Sequence, residues 1–277
     1  MKRNNKLLIT LAAVLVLVAL ILVYVNGSYQ TRMLFDAINN NSYVAAQDSI
    51  DHGGWVNARK HLNIPLVAEI VFENPTPLDM ACKLGNQELV ELLISNGADV
   101  NKGNKLTKDT PLLNALHGTK HNRFSLAMYL IESGADIYNI DQVEYLWRKI
   151  VFIANTDDEE TTQEGFELFV YLAENNVPME MDFGTENLLT YAARYNNYMV
   201  VKYLLEEAYY DVDVCDSAQN TALIISVKYE QVETVSLLME LGANVSIADA
   251  EGKTALDYAM ENDSMYIVTL LTESNKA

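Results

Sequence analysis

The chain has 277 residues, half of them hydrophobic, with 19 basic against 38 acidic side chains and a formal charge of −19. That excess of negative charge argues against nucleic acid or an anionic membrane surface as ligand and favours a basic partner or plain solubility. Two cysteines are too few for a disulfide framework.

The first element is apolar. Lys2, Arg3 and Lys6 precede Leu7–Val25, nineteen residues in which only Thr10 and Tyr24 carry polar side-chain atoms. As a helix this run spans about 28 Å, close to the roughly 30 Å of bilayer hydrocarbon. Tyr24 and Tyr29 suit the far interface. A cleaved signal peptide is the rival reading, but its apolar core would span about 7–15 residues. Val25-Asn26-Gly27 is also a poor cleavage site, so residues 1–26 are read as a basic N-terminus and an uncleaved transmembrane anchor. Basic residues before the span keep the N-terminus cytoplasmic and place residues 27–277 on the outer side, whether periplasmic, extracellular or lumenal. That outer part sets 16 basic against 38 acidic residues, a net charge of −22.

One spacing then recurs. Leu34–Gly53, Leu78–Gly97, Leu189–Ala208, Leu223–Gly242 and Leu256–Asn275 are each 19 residues apart, and Leu112–Gly134 are 22 apart. Fixed spacing means one structural unit copied along the chain. The first copy has Leu34, Ala37 and Gly53-Gly54-Trp55-Val56-Asn57 but lacks a Thr-Pro start, as an N-terminal cap would. About ten extra residues near Arg59–Phe72 follow, judged against the usual repeat period. The clearest copy is Asn74–Asn101. Thr76 caps free N–H groups and Pro77 fits the first helical position. Leu78, Ala81 and Cys82 share one buried helical face. Leu84-Gly85-Asn86 is a turn, and Leu89, Val90, Leu92, Leu93 and Ile94 line a second helix. Gly97 stops it, because glycine accepts the left-handed backbone.

The next copy carries a longer turn at His117–Asn122. Leu112 and Leu189 are 77 residues apart, room for one degenerate unit around 139–183. Its predicted helices are Val143–Asn155 and Gly165–Asn175, with an acidic loop at Asp157–Glu160 and Val177-Pro178 where a glycine turn would stand. The copies at Leu189, Leu223 and Leu256 complete the series. Between the first two of these, the alternation Asp211-Val212-Asp213-Val214 predicts an extended finger.

Thr76-Pro77-Leu78, Ala81-Cys82, Gly85-Asn86, Leu92-Leu93 and Gly97-Ala98-Asp99-Val100-Asn101 resemble the ankyrin repeat. Thr110-Pro111-Leu112 with Ala115, Gly134–Ile137, Thr221-Ala222-Leu223, Gly242–Val245 and Gly252–Leu256 with Ala259 repeat the pattern. Leucine steps of 34, 34 and 33 match the expected period of about 33. The resemblance covers roughly residues 30–275. It implies an all-α repeat solenoid of about seven helix-turn-helix units with short finger turns, after one N-terminal transmembrane helix.

Catalytic and metal-binding patterns are sparse. Gly252-Lys253-Thr254 ends like a phosphate-binding loop, but Ile247 stands where that loop needs glycine. His117 and His121 have helical spacing but are separated by Gly118, with no carboxylate or thiol beside them. Asp211, Asp213 and Asp216 suggest a calcium loop, yet Asp216 replaces the required glycine and Ala222 the closing glutamate. No serine elbow occurs. No cofactor or metal is expected.

In the family resembled, partners bind a concave side made of the fingers and the exposed ends of the first helices. Those helix-end positions, five and six residues after each repeat leucine, read Asn39-Asn40, Lys83-Leu84, His117-Gly118, Arg194-Tyr195, Lys228-Tyr229 and Glu261-Asn262. Two adjacent copies present a cation–tyrosine pair, so Arg194, Tyr195, Lys228 and Tyr229 are the candidate partner-binding residues. The fingers Asp182–Glu186, Asp216–Asn220 and Asp249–Lys253 flank them. Tyrosine and arginine often dominate interface energy. The plainer alternative is that helix ends favour cations and that Tyr229 packs on Tyr195.

The function expected is a non-enzymatic, membrane-tethered protein-protein interaction module, acting as a scaffold or as a protective or regulatory partner. An immunity-type protein neutralising a basic toxin domain is the alternative, helped by charge attraction. An enzyme with a site near Tyr145, Trp147 and Arg148 in the irregular unit is a further reading, and a bare spacer is another.

Overall fold

The structure, a computed structural model, describes residues 2–59, 75–104, 109–118, 122–138, 140–153, 158–179, 186–208 and 210–273. Most of the extra residues expected near Arg59–Phe72 lie outside these, as do His61, His121, Asp157, residues 182–185 and Asn275.

Fourteen helices among the described residues form seven consecutive pairs. They are α1 (Lys2–Asn39) with α2 (Tyr43–Asp51), α3 (Pro77–Leu84) with α4 (Gln87–Ser95), and α5 (Pro111–His117) with α6 (Arg123–Glu132). Then come α7 (Ile140–Ile153) with α8 (Glu159–Glu174), α9 (Leu188–Arg194) with α10 (Tyr198–Glu206), α11 (Ala222–Lys228) with α12 (Val232–Glu240), and α13 (Ala255–Glu261) with α14 (Met265–Glu273). The fold is all-α. The pairs fall into two compact units, Met1–Ala135 and Asp136–Ala277.

The first helices start where the sequence places a cap. Thr76, Thr110, Thr221 and Thr254 each accept the backbone N–H three residues on. Asn187 does the same for α9. Such a cap contributes about 1 kcal/mol. These helices are short, seven or eight residues, too short to persist alone, so packing must hold them.

In the first unit, α1 is one unbroken helix of 38 residues. It crosses the expected boundary between residues 26 and 27 without interruption. Beyond that point Gly27, Thr31, Leu34, Phe35 and Ile38 are buried, one stripe at helical spacing. α1 packs on α2 and α3, and α3 on α5. Leu78, Ala81, Cys82, Leu89, Leu93 and Phe124 fill the core between the pairs. Asparagines stitch successive fingers: Asn57 donates to the Gly97 carbonyl at 2.8 Å and accepts from the Asp99 amide at 2.8 Å.

In the second unit the first helices follow one another, α7 on α9, α9 on α11 and α11 on α13, with the second helices behind. Each second helix is tied back to the preceding pair. Asn197 donates to the Val151 carbonyl, Gln231 to that of Arg194 and Asn262 to that of Val227, at 3.0–3.3 Å.

The irregular pair differs from expectation in three ways. α7 begins three residues early. The acidic run is not a loop at its second half, since Asp158 caps α8 through the Thr161 N–H and Glu159 and Glu160 form its first turn. Carboxylates are favoured there by the helix dipole. The chain reversal falls to Asn176, at φ 58°, before Val177 and Pro178. Trp147 is fully buried against Phe169 and donates its indole N–H to the Pro178 carbonyl at 2.7 Å. Asp211–Val214 also departs from expectation. It is a tight turn, not an extended finger, because the Asp211 side chain accepts the Asp213 N–H at 2.9 Å and its carbonyl the Val214 N–H at 3.1 Å.

Candidate partner-binding face

Three residues before each repeat leucine, and five after it, the second unit places a polar pair. Glu186 Oε1 forms an ion pair with Arg194 Nη2 at 2.7 Å. Asn220 Oδ1 accepts from Lys228 Nζ at 2.7 Å. Lys253 donates to Glu261 at 2.7 Å, with the charges reversed. The pair joins the finger base to the far end of the short helix that follows, so the helix cannot fray without breaking it.

The cations also lie on rings of the neighbouring helix. Arg148 sits 5.3 Å from the Tyr191 ring centre, Arg194 5.1 Å from Tyr229 and Lys228 4.2 Å from Tyr258. Such contacts are worth about 0.5–1 kcal/mol at exposed sites and more when desolvated. The Tyr195 ring meets Tyr191 at 4.8 Å and Phe152 edge-on at 5.1 Å. Arg194, Tyr195, Lys228 and Tyr229 thus lie on one run of stacked groups, in which Tyr191, Tyr229 and Tyr258 each meet a cation of the preceding repeat.

Lys228 is the most deeply committed of the four. Besides Asn220 it holds Asp249 at 2.9 Å, and Tyr258 donates to the same carboxylate at 2.7 Å. Burial pushes the Asp249 carboxyl up, but the hydrogen bonds from Tyr258, Lys228 and the Lys253 and Glu251 amides outweigh it and hold the group well below the usual range. Burial works to lower Lys228, and the same partners outweigh it and raise its ammonium. Glu186 goes the other way: burial, countered by Arg194, raises its carboxyl. Tyr191 is pushed up to about 12, first by burial and then by Tyr195.

Asp216 and Asp249 shape the fingers. Asp216 accepts the Ala218 and Asn220 amides, Asp249 those of Glu251 and Lys253. Asp216 therefore spends its carboxylate on its own backbone. Among the described residues no three His, Cys, Asp or Glu side chains group as a metal would need. What stays accessible on the face is aromatic: Phe152 is 51 % and Tyr229 47 % exposed. Glu186, Asp249, Tyr258, Arg148 and Phe152 were not singled out from sequence as binding residues. The recurring position three before the leucine (Glu186, Asn220, Lys253) was the signal for the struts.

Seven helix pairs, linked within each unit by hydrogen-bonded fingers, define a helical repeat protein, and the polar and aromatic run marks its second unit. The chain belongs to the ankyrin repeat family, matching "Ankyrin repeats (3 copies)" over residues 34–141 and 189–277. Alpha-latrotoxin-Lg1a of Latrodectus geometricus is 27 % identical over 251 residues, 86 % of this chain and 17 % of the toxin. A putative ankyrin repeat protein of Coxiella burnetii is 35 % identical over 89 residues, 32 % of this chain and 26 % of that protein. The chain thus spans a minor part of both relatives. The crystal structure of the human ASB11 ankyrin repeat domain superposes with a TM-score of 0.66 at 25 % identity, over 87 % of this chain and 96 % of that one. Ankyrin repeats serve protein–protein interaction. α1 also contains a stretch, Ala13–Asn39, long and apolar enough to cross a membrane, with mean hydropathy 1.9.

Proposed function

We propose that the protein is a non-enzymatic, membrane-tethered module that captures a partner protein on the run of Arg194, Tyr195, Lys228 and Tyr229. One observation carries the reading: the first helices of three successive pairs each place a cation on a neighbour's ring while Phe152 and Tyr229 remain open to solvent. Rigid aromatic groups braced by charges lose little freedom on binding and make good anchors. Arg194 and Lys228 act mainly by holding the rings, and the tyrosines and Phe152 make the contact.

The tether is α1, with residues 1–26 as the anchor and the repeats on the outer face of the membrane. Support comes from the length of the apolar run and from the basic residues ahead of it. The chain's charge of −19 favours a basic partner, which suits the immunity-type reading as a special case. A photo-crosslinking residue at position 229 in the native membrane tests the proposal. One dominant adduct, lost on adding Phe152→Ala and absent with the probe at Glu240 on α12, supports it. Equal adducts from both positions reject it.

A further inference from the structure

A continuous uncovered apolar surface of the described chain runs along α1. From Val14 to Val25 the large side chains are 46–70 % exposed. Burial begins abruptly at Gly27 and continues at Thr31 and Leu34. Only Asn26 lies between the last apolar residue, Val25, and the first buried one. There is no linker, and the helix does not break.

Trp55 stands at this changeover. Its ring lies 5.5 Å from that of Tyr24. It also covers Gly27 so closely that an added Cβ would come within 2.8 Å of the indole. Three hydrogen bonds fix it there. Trp55 N donates to Thr31 Oγ1 at 2.9 Å, Thr31 Oγ1 to the Gly27 carbonyl at 2.6 Å, and Asn26 Nδ2 to the His52 carbonyl at 2.9 Å. Yet Trp55 remains 43 % exposed, beside Tyr24 at 65 %.

We infer that Trp55, with Tyr24, seats the first helix pair directly on the lipid interface, at a fixed depth, rather than leaving it on a loose tether. The inference rests on reading α1 as the anchor. Tryptophan and tyrosine concentrate at the headgroup level, and Tyr24 falls at the end of the span. The occupant is a zwitterionic interface, because Asp48 and Asp51, on the last turns of α2 beside His52, repel anionic headgroups.

Full-length protein in phosphatidylcholine vesicles, with lipid brominated close to the headgroup, provides the test. Trp147 is the only other tryptophan and is fully buried, so wild type minus Trp55→Phe reads Trp55 alone. Flotation of both proteins reports anchoring separately. Expected are flotation of both and a roughly two-fold loss of Trp55 emission, as for an interfacial indole. Floating protein whose Trp55 is unquenched overturns the seating and leaves the anchor standing. Protein that fails to float overturns both.

Discussion

Lys228 shows how one side chain can join two successive repeats. It meets Asn220 of its own finger, Asp249 of the next finger and the ring of Tyr258. Asp249 is almost buried, with 3 % of its side chain exposed, so removing its partners leaves a charge without compensation. Asp249→Asn should lower stability by about 2 kcal/mol, as for charged hydrogen bonds, read from the urea midpoint at constant slope. The pH dependence has a definite sign. Asp249 has a lowered folded-state value, so its contribution is present above the ordinary aspartate range, about 3.9. That contribution disappears as pH falls further, through the folded value. Lys228 is raised, so its contribution is present below about 10.4 and lost as pH climbs through its folded value. Wild type should therefore lose stability relative to Asp249→Asn only below about pH 4 and above about pH 10. A constant difference across the whole range would show that the pair does not titrate as a unit. Glu186 and Arg194 invite a different test. Either single charge reversal should destabilise by about 1–3 kcal/mol, through unmet buried polar groups, and the double reversal should recover much of it. Lys253 and Glu261 already show that the strut tolerates either polarity.

The helices and their stops were largely legible in the sequence, because each is written with residues whose physics is local. Threonine before proline marks a start, and a glycine marks a left-handed stop. Gly97 has φ 83° and Gly242 φ 84°. The irregular pair escaped registration because Asn176 does the glycine's work at φ 58°. Asparagine is the commonest non-glycine residue to tolerate that backbone. Asn176→Gly should therefore raise stability by about 0.5–1 kcal/mol through relieved strain, seen as a slightly higher melting temperature, whereas Gly242→Ala should lower stability by about 1–2 kcal/mol. The start of α8 was missed although its signal was present, an aspartate followed by two acidic residues ahead of an apolar stripe. The site was legible only in part. Spacing put Arg194, Tyr195, Lys228 and Tyr229 on a common face. It did not tell which ring each cation would meet, because that depends on the fold bringing neighbouring helices into contact.

For the molecule as a whole, the free thiols offer a native topology probe. Cys82 is buried and Cys215 exposed. Burial, and then Asp216, Asp213 and Asp211, push the Cys215 thiol up. Only the thiolate reacts, so a membrane-impermeant maleimide should label Cys215 more slowly than a small free thiol. Its rate should keep rising with pH beyond the ordinary thiol range near about 8.5. Labelling in intact cells places the second unit outside. Labelling only after permeabilisation reverses the proposed orientation. Unbroken α1 carries a last consequence. A helix advances about 100° per residue, and α1 runs without pause from the apolar run into Leu34 and Ile38. Inserting a single residue ahead of Gly27 would swing the first pair about a quarter-turn around the α1 axis. An insertion of seven, close to two whole turns, would nearly restore its azimuth while lifting it by about 10 Å. The compass heading of the repeats would thus be set by a count of residues inside the bilayer.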